Sequence, residues 1–309
     1  MRNHGGPAVA LVGATATGKS AVAHELALAS HGDVQIVCVD SMTVYRGMDI
    51  GTAKATPTQR REVDYHLLDL IDPADEFTVS QFQHEAREAA QMIWALGGSI
   101  LYVGGTGLYG RAVLDDLDIP GQFPRARADI EARGDDVGAL YQELCRVDPV
   151  AASKMEPTNR RRIVRALEVT LGAGRPFSSY GAGLRHYGAA RVVQVGLNCE
   201  FDVLDVRIRR RFEAWMERGL LEEVARLREQ GMSRTARQAV GYRELLRHLE
   251  EGADLEKCVE DAITQSRRLA RRQRSWFQRD PRVQWFDEPS AAAKRLEEVL
   301  RSPDGFVRD

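Results

Sequence analysis

Gly13-Ala14-Thr15-Ala16-Thr17-Gly18-Lys19-Ser20 follows the apolar run Ala8-Val9-Ala10-Leu11-Val12 and opens a helical pattern over residues 21–30. The stretch fits GxxxxGK[ST] in full, with a strand before it and a helix after it. That context decides the fold, because such a loop works by aiming backbone N–H groups and a helix N-terminus at phosphate oxygens. Its glycines let backbone approach a ligand closely, Lys19 adds a mobile positive charge, and the Ser20 hydroxyl can ligate Mg²⁺. The expected fold class is α/β, a P-loop NTPase-like parallel sheet flanked by helices.

Moving outward from this loop, Val34-Gln35-Ile36-Val37-Cys38-Val39 is apolar and β-branched and reads as a buried strand ending at Asp40-Ser41. An acid at the carboxyl end of a parallel strand sits where open α/β sheets place ligands. Asp40 is therefore a site candidate, with a helix cap or a Walker-B-like Mg²⁺ ligand as alternatives. The run Gly47-Met48-Asp49-Ile50-Gly51-Thr52-Ala53-Lys54 has neither period and reads as a loop, over the site or inert on the surface. Residues 65–73 read as a short strand closed by a proline turn, with His66 a structural residue at the strand end. Ser80 is expected to cap an amphipathic helix reaching residue 96. Ser99-Ile100-Leu101-Tyr102-Val103 is the next buried strand, and it runs into Gly104-Gly105-Thr106-Gly107-Leu108-Tyr109-Gly110. Those last residues contain GxGxxG, but no following βαβ strand supports a dinucleotide site. Thr106 offers the one aliphatic hydroxyl there.

From about residue 116 to residue 188 the strand signals vanish. Helical segments at 124–133, 137–146 and 159–171 predict an all-helical insertion, so the expected organisation is a core domain of 1–115 with 189–309 and an insertion domain of 116–188. Asn159-Arg160-Arg161-Arg162-Ile163-Val164-Arg165 places four arginines at a helix start. Residues 191–197 return to strand, 201–218 form a helix carrying Arg207, Arg209, Arg210 and Arg211, and 255–279 form a long helix. On that last helix Arg267, Arg271 and Arg274 share one face and Leu269, Gln273 and Trp276 another. Such a basic ridge can follow a phosphate backbone, while Trp276 and Phe277 serve equally well as core. A final strand at 283–286 and a helix at 291–300 complete the chain.

Composition narrows the function classes. The 309 residues are 43% hydrophobic, enough for a large core with an appended unit. The formal net charge is −2, with 43 Lys and Arg against 45 Asp and Glu, so any nucleic-acid surface must come from local clustering. Cys38, Cys145, Cys199 and Cys258 are scattered without a C-x-x-C pair, which argues against a zinc site or a disulfide framework and for a reducing cytoplasm. The N-terminal apolar run is too short to span a bilayer and lacks a cleavage site.

Taken in order, residues 13–20, Val39-Asp40-Ser41, Tyr45-Arg46-Gly47 with the 48–54 run, residues 103–109, Asp148-Pro149-Val150-Ala151-Ala152, Arg165-Ala166-Leu167-Glu168-Val169, Val240-Gly241-Tyr242-Arg243 and Arg268-Leu269-Ala270-Arg271-Arg272-Gln273 with Trp276 closely resemble the bacterial tRNA dimethylallyltransferases. The blocks cover nearly the whole chain. The resemblance implies transfer of a dimethylallyl group from dimethylallyl diphosphate to N6 of adenosine 37 in tRNAs that read codons beginning with U. It also implies Mg²⁺ dependence with Ser20 as the protein ligand, and Asp40 as general base beside Thr106. Gly13, Ala14, Thr15, Ala16, Thr17, Gly18, Lys19, Ser20 and Arg211 would hold the diphosphate. Asp40, Ser41, Met42, Thr43, Thr106, Arg127, Arg161, Arg162, Arg165, Arg243, Arg272, Gln273 and Trp276 would hold the anticodon stem-loop. The acceptor base would flip into a channel between the two lobes. A cytoplasmic monomer with no membrane partner is expected. The chain departs from the family pattern at Ala14, where Pro is commoner, in the Ala-Thr-Pro that follows Lys54, and at Thr158-Asn159, which replaces Asn-Asp. The rival readings are a P-loop small-molecule kinase, a prenyltransferase acting on free adenylate, and a non-enzymatic RNA-binding protein.

Overall fold

The computed structural model describes residues 6–302. Six strands form one sheet in the order β3-β2-β4-β1-β5-β6, and every neighbouring pair is parallel. They are β1 (Ala8–Val12), β2 (Val34–Val39), β3 (Tyr65–His66), β4 (Ser99–Gly104), β5 (Val193–Leu197) and β6 (Val283–Phe286). The central strands are continuous apolar runs because both their faces are covered. On one face Val9, Leu11, Ile36 and Leu101 meet α1 (Lys19–Ala29) and α13 (Pro289–Arg301). On the other, Ala10, Val12, Val37, Val39 and Tyr102 join a larger core. That core is built with α3 (Val79–Ala95), α4 (Gly107–Leu114), α9 (Phe201–Glu217), α10 (Leu220–Gln230), α11 (Tyr242–Glu251) and α12 (Leu255–Phe277).

The chain divides into two compact units, one made of the residues up to Asp115 together with those from Ala189 onward, the other Asp116–Gly188. The second unit holds α5 (Pro124–Glu131), α6 (Val137–Val147), α7 (Pro149–Ala152) and α8 (Arg160–Ala173). Ile130, Leu140, Leu144, Ile163, Val164 and Leu167 form a core of its own. The remaining α-helix among the described residues, α2 (Pro57–Glu62), lies in the first unit.

Two local expectations are corrected. The long helix before β4 is capped by Thr78, not Ser80. The Thr78 hydroxyl accepts from the Gln81 amide while Gln81 reaches back to the Thr78 amide, and Ser80 is already inside the first turn, bonded to Thr78. The strand expected over 65–73 stops at His66. Leu67 and Asp69 take positive φ (63° and 55°), which breaks the pleat, and pairing resumes only at the isolated bridge Tyr45–Ile71. His66 hydrogen-bonds Gln35 across the β2–β3 pair at 2.7 Å, and burial lowers its pKa. Among the described residues, no helix is long and apolar enough to cross a membrane.

Candidate active site

Three loops leave three adjacent strands at the same level. Gly104 of β4 pairs with Val12 of β1 on one side and Val39 of β2 on the other. The phosphate loop, Asp40 and the Gly105-Thr106 turn therefore emerge side by side at the carboxyl edge of the sheet, where this architecture concentrates ligand groups. Small residues make that convergence possible. A Cβ on Gly107 would sit 2.2 Å from the Trp276 ring, so the start of α4 can pass under α12 only as glycine.

In the phosphate loop, Gly18 adopts the left-handed conformation and caps α1. Lys19 is buried, and its ammonium donates to the Ala14 carbonyl and, at 3.5 Å, to the Thr17 hydroxyl. Burial pulls its pKa down to about 7; Asp40 pulls the other way and Arg211 adds to the depression. Arg211 of α9 donates to the Thr15 hydroxyl at 3.0 Å and lies over the Trp215 ring, 4.7 Å from its centre. Burial lowers it to about 10. Arg207, one turn earlier, donates to the carbonyls of Ala16 and Thr17 at 3.4 and 3.3 Å. Two guanidinium groups and one ammonium thus face one loop of backbone amides.

Asp40 follows β2. Its carboxylate accepts the Met42 amide at 2.8 Å and a hydrogen bond from Thr106. Burial raises its pKa above the ordinary carboxylate value, against the opposing pull of the Met42 amide, Lys19 and Thr106. The Thr106 hydroxyl also accepts the Ser41 amide at 3.4 Å, joining the acid's loop to the glycine turn. Thr43 is buried and its hydroxyl lies 3.5 Å from the Asp40 carbonyl, while Ser41 and Met42 are partly exposed.

Gln273 of α12 belongs to this cluster in a way the sequence did not reveal, since its side-chain oxygen accepts the Thr15 amide at 2.8 Å. Trp276 is half-buried against Gly107, and Phe277 is core. The ridge expected on α12 is divided. Arg267 and Arg271 each lie 3.6 Å from Asp205 of α9, and Arg271 and Arg274 lie over the Phe201 ring, so that face is engaged by α9 although Arg271 stays exposed. Arg272 is exposed on the helix, and Arg243 is paired with Glu244 at the start of α11.

Within the second unit the four expected arginines separate into two kinds. Arg165 donates to Glu168 at 2.6 Å and to the Pro120 carbonyl at 2.8 Å, and Arg127 contacts both Glu131 and Glu168. Glu168 is 2% exposed, so these two cations compensate a buried carboxylate. Arg161 and Arg162 are exposed at the first turn of α8, beyond the Asn159 cap.

The IPP transferase family model matches residues 43–280. The chain belongs to the IPP transferase family. A relative from Nocardioides, a tRNA dimethylallyltransferase, is 42% identical over 97% of each chain. Another of that name from Mycolicibacterium gilvum is 44% identical over 95% of each. Among solved structures, the tRNA isopentenylpyrophosphate transferase of Bacillus halodurans superposes with a TM-score of 0.66 at 35% identity, covering 95% of this chain and 94% of that one. A eukaryotic dimethylallyltransferase described as acting on tRNA gives 0.76 at 25% identity, over 91% of this chain and 74% of the other.

Proposed function

We propose that the protein transfers a dimethylallyl group from dimethylallyl diphosphate to N6 of adenosine 37 in tRNAs reading codons that begin with U, releasing diphosphate. The observation that carries this reading is the alignment of the phosphate loop, Thr106 and Asp40 after β1, β4 and β2, in a chain whose relatives are named tRNA dimethylallyltransferases.

The chemistry follows from the charges. Breaking the allylic C–O bond leaves negative charge on diphosphate, and the loop amides, Lys19 and Arg211 stabilise it more strongly as it grows. The acceptor is an exocyclic amine whose lone pair is delocalised into the ring. As its nitrogen bonds to the allylic carbon it must lose a proton, and Asp40 receives it. Burial makes Asp40 a better base than an exposed aspartate, and the Met42 amide and Thr106 help to hold its carboxylate in place. Ser41, Met42, Thr43, Gln273 and Trp276 lie beside these groups and would meet the base and its neighbours; Arg161, Arg162, Arg243 and Arg272 would meet phosphates.

Mg²⁺ fits this site with one protein ligand. Ser20 is exposed at the start of α1, and among the described residues no cluster of three His, Cys, Asp or Glu could hold a metal. Ser20 and the donor's own oxygens would hold the ion, with waters completing its octahedral shell. Bound there, the ion would supply further neutralisation of the leaving group.

The test is incubation with dimethylallyl diphosphate, Mg²⁺ and unmodified tRNA, followed by nucleoside mass analysis. The expected product is N6-(dimethylallyl)adenosine at position 37. Unchanged adenosine in a fully folded enzyme would overturn the reading.

A further inference from the structure

The 47–54 loop, and Tyr242 within Val240-Gly241-Tyr242-Arg243, have no role in the chemistry above. The structure joins them through Glu223 of α10. Its carboxylate accepts the backbone amides of three successive loop residues, Asp49 at 3.1 Å, Ile50 at 2.9 Å and Gly51 at 3.3 Å. The Tyr242 hydroxyl donates to the same carboxylate at 2.5 Å. Glu223 is 6% exposed and Tyr242 fully buried. Gly51 lies so close to the Tyr242 ring that a Cβ there would come within 2.5 Å of it. Backbone amides that converge in this way form an anion-binding concavity, and here the chain fills it with its own carboxylate.

From this nest a continuous set of bonds leads to the acid. Asp49 pairs with the buried Lys54 at 2.8 Å. Lys54 in turn donates to the Tyr45 carbonyl and to Asp69, both at 2.7 Å. The Asp69 amide donates to the Thr43 carbonyl at 3.2 Å, and the Tyr45 amide to the Met42 carbonyl at 3.4 Å. Met42 is the residue whose amide holds the Asp40 carboxylate.

We propose that Glu223 and Tyr242 are positioning residues for the transfer reaction: they hold the 49–51 backbone and, through Lys54, the Asp40–Thr43 segment that faces the acceptor base. The proposal rests on the transferase reading for its kinetic consequences, while its structural half stands apart from it. Its predicted signature is selective. The phosphate loop and Arg211 share none of these bonds, so donor binding should be untouched while use of tRNA suffers.

The experiment compares the full-length protein with Glu223→Gln and Tyr242→Phe. A glutamine keeps the shape but turns an NH₂ toward amide donors; phenylalanine keeps the ring and removes only one donor, and so preserves the fold. Amide hydrogen exchange at Asp49, Ile50 and Gly51 is read first. It is expected to quicken by roughly tenfold or more in Glu223→Gln and by less in Tyr242→Phe. In the prenylation assay, kcat/KM for tRNA is expected to fall about tenfold in Glu223→Gln and a few-fold in Tyr242→Phe, with the dissociation constant for dimethylallyl diphosphate unchanged. Faster exchange with unchanged kcat/KM for tRNA would overturn the positioning role, as would equal losses for donor and tRNA. Unchanged exchange in both variants would overturn the nest itself. A wild-type enzyme that fails to prenylate tRNA would instead count against the transferase reading and leave the exchange result to decide the structural claim.

Discussion

At the scale of single residues, burial sets the chemistry of the site. Asp40 and Lys19 are displaced in opposite directions by the same cause, loss of water around a charge, and each partly restrains the other. Asp40→Asn removes the base but keeps a side-chain oxygen for the Met42 amide. Turnover is expected to drop by roughly 10² or more with tRNA affinity nearly intact. Single-turnover rates beside binding isotherms check this, and an unchanged rate would remove Asp40 from the proton transfer. For Lys19 the sign follows from its two states. In the free protein burial holds it near 7, whereas a bound diphosphate favours the ammonium and raises it. Donor binding should then take up a proton once the pH exceeds about 7, so affinity weakens as pH climbs, approaching tenfold per pH unit. Calorimetry in buffers of different ionisation enthalpy measures the uptake. Affinity that stays flat to about pH 9 would mean that Lys19 never gives up its proton.

At the scale of elements, the arginines of the insertion unit divide by what they touch. Arg161 and Arg162 stand in solvent at the start of α8, whereas Arg165 and Arg127 neutralise the buried Glu168. Arg161→Ala is expected to leave the melting temperature unchanged and to reduce the slope of log affinity for tRNA against log salt by about 1. Arg165→Ala is expected to destabilise the protein by about 1–3 kcal/mol, because a buried carboxylate loses its nearest cation. Thermal melts and salt titrations of both variants separate the two roles, and a reversed pattern would contradict the division. The run of arginines was plain in the sequence, but its division was not. Arg165 and Glu168 stand at i, i+3 on α8, a spacing the chain does carry, but the second cation, Arg127, comes from α5, and the letters 159–165 say nothing of that contact. Capping was closer to legible. The Thr78 to Gln81 spacing is a capping box written in the chain, and it places the helix start two residues before Ser80.

At the scale of the molecule, the sequence contained each strand but not their order. β1 lies between β4 and β5, whose partners come from about 90 and 185 residues further along the chain, and periodicity says nothing about such neighbours. The strand-helix context of residues 13–20 was legible because a phosphate loop is local, as was the acid ending β2. Gln273 on the Thr15 amide and Glu223 under the 49–51 amides were not, because each is a contact between elements far apart in sequence. What the assembled sheet adds is a level edge on which the 13–20 loop, the Thr106 hydroxyl and the buried Asp40 carboxylate stand together. On the proposed reading that loop holds a leaving group, and the bond that breaks joins carbon to oxygen. The most direct measurement is the phosphorus balance of the reaction with tRNA, dimethylallyl diphosphate and Mg²⁺, with ATP added as a competitor. One diphosphate released for each N6-(dimethylallyl)adenosine formed, with ATP intact, is the expected result; ADP or orthophosphate appearing in place of prenylated tRNA would contradict it.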